Sequence, residues 1–215
     1  MRVKGTNEQV EQAKNRVIKC ASAMFHMRGI KDVKMDEIAA SLSMSKRTIY
    51  ELFKDKETLL LECMEYHHIQ KRKEAEDIVK NSSNVLEVIL LVYVYSLKKL
   101  HSTNLKFFQD IKQYPKAAAV IDRRNHEDLN ASVSFFRQGI DQGIFRSDIN
   151  FEIFTEILHQ QIDSLLHEGV DNRFSFFDVY EFVMFTFFRG VSTRKGQDII
   201  EDFISKYKRE DYIEK

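Results

Sequence analysis

The sequence predicts an all-α protein, on two observations. A single proline and seven glycines in 215 residues leave little of the turn vocabulary that sheets require. Apolar residues also recur at three- and four-residue spacing through most of the chain. At this length the chain can hold one small and one medium domain.

The first helix spans about Thr6 to Arg28, with Val10, Ala13, Val17, Ile18, Ala21, Met24 and Phe25 on its inner face. Gly29 ends it, and Ile30 folds back onto Phe25 as in a Schellman closure. Met35, Ile38, Ala39 and Leu42 give a second short helix its own stripe, and only Ser43 and Met44 separate it from a third. There Ile49, Leu52 and Phe53 stand at i, i+3 and i+4 and must be buried, which leaves Lys46, Arg47 and Tyr50 outward. Ser45 is a good N-cap, and the free N–H groups behind it make the helix start a natural phosphate site. Two short helices joined by a tight turn, about residues 34–53, fit a helix-turn-helix unit. An ordinary helical hairpin with solvated charges is the competing reading.

A long helix begins near Asp55 and continues through Leu59, Cys63, Tyr66, Ile69 and Ile78, with the charge run Lys71 to Asp77 as its solvated face. Asn81-Ser82-Ser83-Asn84 marks a domain boundary. Val85 to Tyr95 is apolar at nearly every position, and its helical surroundings make it a central buried helix rather than a strand. A short helix precedes Pro115, and another runs from Lys116 to about Ile140, with Ala118, Val120 or Ile121, Leu129, Val133 and Phe136 inward. Gly139, Gly143 and Ser147-Asp148 mark the next turn.

Two strongly apolar helices follow, about Asn150 to Glu168 and Ser175 to Arg189, the second starting at a capping-box spacing of Ser175 and Asp178. Phe176, Phe177, Val179, Tyr180, Phe182, Val183, Met184, Phe185, Phe187 and Phe188 surround most of that helix, so it needs contacts on several sides. A final helix, Gln197 to Lys208, packs back through Ile199, Ile200, Phe203, Ile204 and Tyr207.

Residues 1–60 hold 12 Lys/Arg against 8 Asp/Glu, and the remainder 21 against 25, so a basic end is joined to an acidic body in a formally neutral chain. That asymmetry suits a nucleic-acid-binding end. Met1 to Gly5 leads directly into a charged amphipathic helix, which is not a signal peptide, and no apolar run approaches the roughly 20 residues of a membrane span. A cytoplasmic location and no membrane association are expected. Cys20 and Cys63 lack CxxC spacing and read as reduced, buried side chains, with a redox-sensing pair as the alternative.

From Val17 to Leu60 the chain resembles the DNA-binding domain of the TetR family of bacterial transcriptional regulators. The match runs through Ala21, Met24, Phe25, Gly29, Ile38-Ala39, Ser45-Lys46, Thr48-Ile49-Tyr50, Phe53, Lys56-Glu57 and Leu59, in fixed order. It implies a three-helix helix-turn-helix head, residues 1–54, joined by a connecting helix, 55–80, to a helical ligand-binding and dimerisation domain, 81–215. It further implies that Lys46 and Arg47 lie at the groove end of the recognition helix, with Arg47 the better candidate for a bidentate guanine contact. Thr48 and Tyr50 would bind phosphate oxygens, Ser45 would cap the helix and touch the backbone, and Lys56 would clamp a neighbouring phosphate. Two positions depart from the pattern. The common turn glycine is Ser43, and the hydroxyl residue that often begins the second helix is replaced by Lys34-Met35, where Lys34 restores a charge.

The resemblance also implies a homodimer on a double-stranded, near-palindromic operator, because one recognition helix reads only a few base pairs. Ile157, Ile162, Leu165, Tyr180, Met184, Phe187 and Phe188 are the candidates for pairing two copies. Tyr93, Tyr95, Phe107, Phe108, Tyr114, Phe135 and Phe136 are candidates to line a pocket for a small hydrophobic or aromatic ligand that releases the operator, with plain core packing as the alternative for each. A regulator without a ligand is the second reading. Two Glu-x-x-His pairs, Glu65 with His68 and Glu156 with His159, raise a helical metal–carboxylate enzyme as a third. With 7 His in the chain such spacings arise readily by chance, and neither an enzyme activity nor a cofactor is expected. His159, Asp163 and His167 share one helical face, with Gln160 and His126 elsewhere, and read as hydrogen-bonded groups at the dimer edge rather than a metal site.

Overall fold

A computed structural model describes the backbone of residues 7–171 and 173–209, and the side chains of these except 125–131 and 208–209. The expected inner-face Leu129 and the nearby His126 therefore lie outside the described side chains. The order is α1 (Asn7–Arg28), α2 (Met35–Ser41), α3 (Lys46–Leu52), α4 (Lys56–Asn81), α5 (Val85–His101), α6 (Lys106–Ile111), α7 (Pro115–Asp141), α8 (Phe151–Glu168), α9 (Phe176–Val191) and α10 (Arg194–Arg209). Among the described residues the sole β feature is an isolated antiparallel bridge between Phe145 and Ser192.

Short polar side chains set most helix starts. Asp55 accepts from the Thr58 N–H at 2.7 Å, Asn84 from Glu87 at 2.9 Å, and Asn150 from Glu152 and Ile153 at 3.0 and 3.1 Å. Pro115 opens α7, where its missing N–H costs nothing. Ser175 caps α9 by accepting from the Phe177 N–H at 3.2 Å. Gly29 ends α1 at φ +87° with its N–H on the Phe25 carbonyl, the single bond of an αL cap in place of the expected Schellman pair. Gly139 departs from expectation: it is helical, within α7, and is needed because a Cβ there would run into the Phe145 ring.

The chain forms two compact units that do not follow its linear order. One comprises the described residues up to Glu74 together with Lys99–Arg123; the other comprises Ala75–Lys98 and the described residues from Arg124 onward. The boundary thus falls inside α4, α5 and α7 rather than at residues 54 and 80, because α6 and the start of α7 join the N-terminal core. That core buries Val17, Ala21, Phe25, Ile30, Ile38, Ile49, Phe53, Leu59 and Leu60, and includes Ile111 and Ala117 from the later segment. No fully buried isoleucine or leucine here is redundant, since truncating one to Ala costs about 2–5 kcal/mol.

The second unit is centred on aromatic rings. Phe136 stacks on Phe151 at 4.6 Å between centroids and meets Phe145 and Phe154 edge-on, with Phe188 closing the group. A separate cluster has Tyr93 stacked on Tyr180 at 5.7 Å and edge-on to Phe185. The connection after α7 is tied to the α9–α10 junction by Arg146 N–H to the Val191 carbonyl and Thr193 N–H to the Ile144 carbonyl, both 2.9 Å. Among the described residues no helix is long and apolar enough to cross a membrane.

Candidate nucleic-acid interface

The α2–α3 pair is built around a left-handed turn. Leu42 closes α2, Ser43 takes φ +54°, and Ser45 starts α3 in extended backbone. Ser43 thus adopts the conformation that favours glycine, which explains why a glycine is the common residue at this position in the resembled pattern. The Ser45 hydroxyl accepts from the Thr48 N–H at 3.0 Å and shares a 2.8 Å hydrogen bond with the Thr48 hydroxyl. Lys34 starts α2: its own N–H donates to the Glu37 carboxylate at 3.0 Å, which is half of a capping box. That bond is the main cause holding the Glu37 carboxyl below its usual range, and the Arg28 guanidinium adds to it.

Burial on α3 follows the predicted stripe. Ile49 is buried, Leu52 half-buried, and Phe53 buried although it lies just past the helix in extended backbone. Ser45, Lys46, Arg47 and Tyr50 are exposed, Tyr50 by 49%, which is high for an aromatic with no partner in the core. Thr48 is half-buried.

The cations on this face are not bare. Lys46 Nζ pairs with Asp36 on α2, a hydrogen bond that raises its pKa. Arg47 Nε donates to Glu51 Oε1 at 2.9 Å. Lys56 Nζ donates to the Lys31 carbonyl at 3.3 Å, and partial burial lowers its pKa against the opposing pull of Asp110, Asp32 and Glu37. Sequence reading missed Asp36 and Glu51. The i, i+4 spacing of Arg47 and Glu51 was a visible signal for the second, whereas the cross-helix Asp36 contact depends on the α2–α3 angle.

The expected pocket residues are not gathered into one place. Phe107 and Tyr114 pack on the N-terminal core and Phe108 meets Phe107 edge-on at 5.4 Å, while Phe136 belongs to the phenylalanine group and Tyr93 to the tyrosine cluster. Phe135 and Tyr95 are half-buried on α7 and α5. Spacing identified them as inward-facing without saying toward which neighbour. Of the expected pairing residues, Tyr180, Met184 and Phe188 are buried within the chain, the first by Tyr93 and Phe176 and the last by Phe136 and Phe154, so they do not form an outer face. Ile157 is 43% exposed, and Ile162, Leu165 and Phe187 are half-buried. Ile153 and Phe182, 57% and 68% exposed, are outward apolar residues outside that expected pairing set.

His167 Nδ1 lies 2.9 Å from the Asp163 carbonyl and 3.1 Å from its carboxylate, a partnership internal to α8. Cys20 and Cys63 have separate partners, Ser41 Oγ at 3.0 Å and the Ile18 carbonyl at 3.5 Å, and burial pushes the Cys63 thiol up to about 12. That protonated thiol is a packing group rather than a nucleophile.

A capped short helix with an exposed cationic and hydroxyl face, fixed across a tight turn on a second helix, is the reading unit of a helix-turn-helix transcriptional regulator. Residues 17–63 match the bacterial regulatory proteins of the tetR family, so this segment carries that family's DNA-binding domain. It is 25% identical over 151 residues to the HTH-type transcriptional repressor KstR2 of Mycobacterium tuberculosis strain H37Rv, covering 67% of this chain and 75% of that one. Its fold is similar to a transcriptional regulator from Saccharomonospora viridis solved in complex with choline, at TM-score 0.70 and 19% identity, covering 86% of this chain and 100% of that one. It is also similar to the TetR-family protein CprB from S. coelicolor A3(2), at TM-score 0.69 and 17% identity, covering 94% and 99%.

Proposed function

We propose that this regulator is a cytoplasmic homodimeric repressor that binds a near-palindromic operator and is released by a small apolar or aromatic molecule. The observation that carries the DNA part is the division of α3: Ile49 is locked in the core while Lys46, Arg47 and Tyr50 face outward from a helix start capped by Ser45. Arg47 reads guanine, Lys46 assists from its seat against Asp36, and Ser45, Thr48, Tyr50, Lys34 and Lys56 hold phosphates, which set the register of the head.

Two copies are joined through the outer face of α8 and α9, helices that pack on each other and expose Ile153, Ile157 and Phe182. Exposed apolar side chains on adjacent helices mark an interaction surface. Two heads then address half-sites about 34–36 Å apart. Selection of bound DNA from a random pool at moderate salt tests this directly. An enriched near-palindrome with that spacing is expected, and no enriched sequence from a folded dimeric sample would falsify it.

The ligand reading rests on the tyrosine cluster, where the Tyr93 hydroxyl is buried with no hydrogen-bond partner among the described residues. A buried hydroxyl left unsatisfied costs about 1–3 kcal/mol, which a ligand acceptor would recover. The choline-bound relative supports a ligand in this fold. The dispersal of the other aromatics into packed clusters favours a second reading, a regulator with no small ligand. Thermal-shift screening with apolar and aromatic compounds separates them: a compound that both stabilises the protein and releases operator supports the first, and none doing both supports the second.

A further inference from the structure

The Arg47–Glu51 bond has an uncommon economy of atoms. Glu51 Oε1 takes Nε, the guanidinium nitrogen nearest the stem, at 2.9 Å. Among the described residues neither terminal nitrogen of Arg47 has a partner. Those two nitrogens are the parallel donors that match O6 and N7 of guanine. The Glu51 side chain is 29% exposed against 68% for Arg47, so the carboxylate is the less accessible member of the pair. It is therefore placed to orient the arginine through Nε.

An unheld arginine on a helix surface samples many rotamers and takes any phosphate within reach. A carboxylate one turn along changes both properties, since it fixes the plane of the fork and adds a negative charge that opposes phosphate-only contacts. We propose that Glu51 is a specificity-determining positioning residue, holding Arg47 by Nε so that the two terminal nitrogens are presented to a guanine edge while indiscriminate phosphate binding is weakened. This rests on the reading of Arg47 as the base-reading residue.

The test compares full-length wild type, Arg47→Ala, Glu51→Ala and Glu51→Gln by random-pool selection and by binding to the selected duplex and an unrelated one. Glu51→Ala should fold normally, because an exposed i, i+4 pair contributes little to stability. Its preference for guanine at the Arg47 position should fall about tenfold, while affinity for unrelated DNA rises about two- to fivefold through the lost negative charge. Glu51→Gln keeps an oxygen that accepts from Nε, so it should retain the guanine preference and share the non-specific gain. A merely structural role would weaken both duplexes together. If Arg47→Ala abolishes the guanine preference and Glu51→Ala keeps it, the positioning role is overturned and the Arg47 reading stands. Loss of a cytosine preference in Glu51→Ala, with guanine intact, overturns it in favour of direct reading by the carboxylate. Should Arg47→Ala keep the guanine preference, the underlying assignment of Arg47 falls and the proposal falls with it.

Discussion

The Asp110 carboxylate on α6 accepts a 2.8 Å hydrogen bond from the Lys31 backbone N–H, joining positions 79 residues apart. Asp110 is buried, and the same carboxylate lies 3.0 Å from where a Cβ would stand at Gly29, so the glycine leaves room for it. The Asn104 N–H on the His26 carbonyl at 2.7 Å and the Lys106–Asp32 ion pair complete the attachment of α6 to the end of α1.

Replacing Asp110 by Ala should destabilise the protein by about 1–3 kcal/mol, since the Lys31 N–H is left without its acceptor. Asp110→Asn keeps an acceptor oxygen and should cost less. Gly29→Ala should cost at least about 1–2 kcal/mol from the left-handed backbone alone. Urea denaturation midpoints rank the three variants.

Acid should weaken the N-terminal unit through a histidine pair. His67 bonds the Ser22 hydroxyl, His26 Nδ1 lies 2.7 Å from the Ser22 carbonyl, and the two rings meet edge-on at 4.7 Å. Burial is the main cause lowering both pKa values, that of His67 to about 4; Lys99 adds to both, the His26 ring adds at His67, and the hydrogen bond to the Ser22 carbonyl opposes the fall at His26. A folded-state pKa below the unfolded value of about 6.5 means that the unfolded chain binds the proton first. The contribution is complete above about pH 6.5 and is lost as pH falls toward 4. Urea midpoints at pH 7.5 and 5 should therefore differ, and His67→Asn should flatten the difference; an unchanged slope would count against the pair as its source.

Ser43 at φ +54° predicts that Ser43→Gly stabilises the head by about 0.5–1 kcal/mol. In a chain of this size that is a rise in Tm of about 1–4 °C. A β-branched residue there, such as Val, should lower Tm instead.

Phe182→Glu, at the most exposed phenylalanine of α9, should give a folded monomer by sedimentation and lose high-affinity operator binding. Met184→Glu, two positions on and buried, should lose folding rather than pairing. A Phe182→Glu protein that remains dimeric would sink the α8–α9 interface.

Element positions were largely legible because local chemistry fixes them: Ser45 caps where the sequence has a capping residue, and Ile49 is buried where helical spacing places it. What spacing leaves open is the identity of the neighbour. Phe107 and Tyr114 read as pocket-lining because they are aromatic and inward, yet their partners belong to a core built from residues far earlier in the chain. On α9, apolar residues all round the helix marked the need for several contact surfaces, but not that Tyr180 and Phe188 are satisfied internally while Phe182 is not. At the reading face, the Asp36 partner of Lys46 was not legible because it depends on how α2 and α3 pack, whereas the Glu51 partner of Arg47 follows from i, i+4 spacing.

Because Lys99–Arg123 belongs to the same compact unit as the residues around α1 to α3, the DNA-reading part is not a detachable N-terminal cassette. A hybrid regulator made by splicing at residue 55 would strand Leu59, Leu60, Ile111 and Ala117 on the wrong side of the junction. Exchange of operator specificity between relatives of this fold is accordingly a matter of substituting surface positions on α3, or of moving two separate chain segments at once.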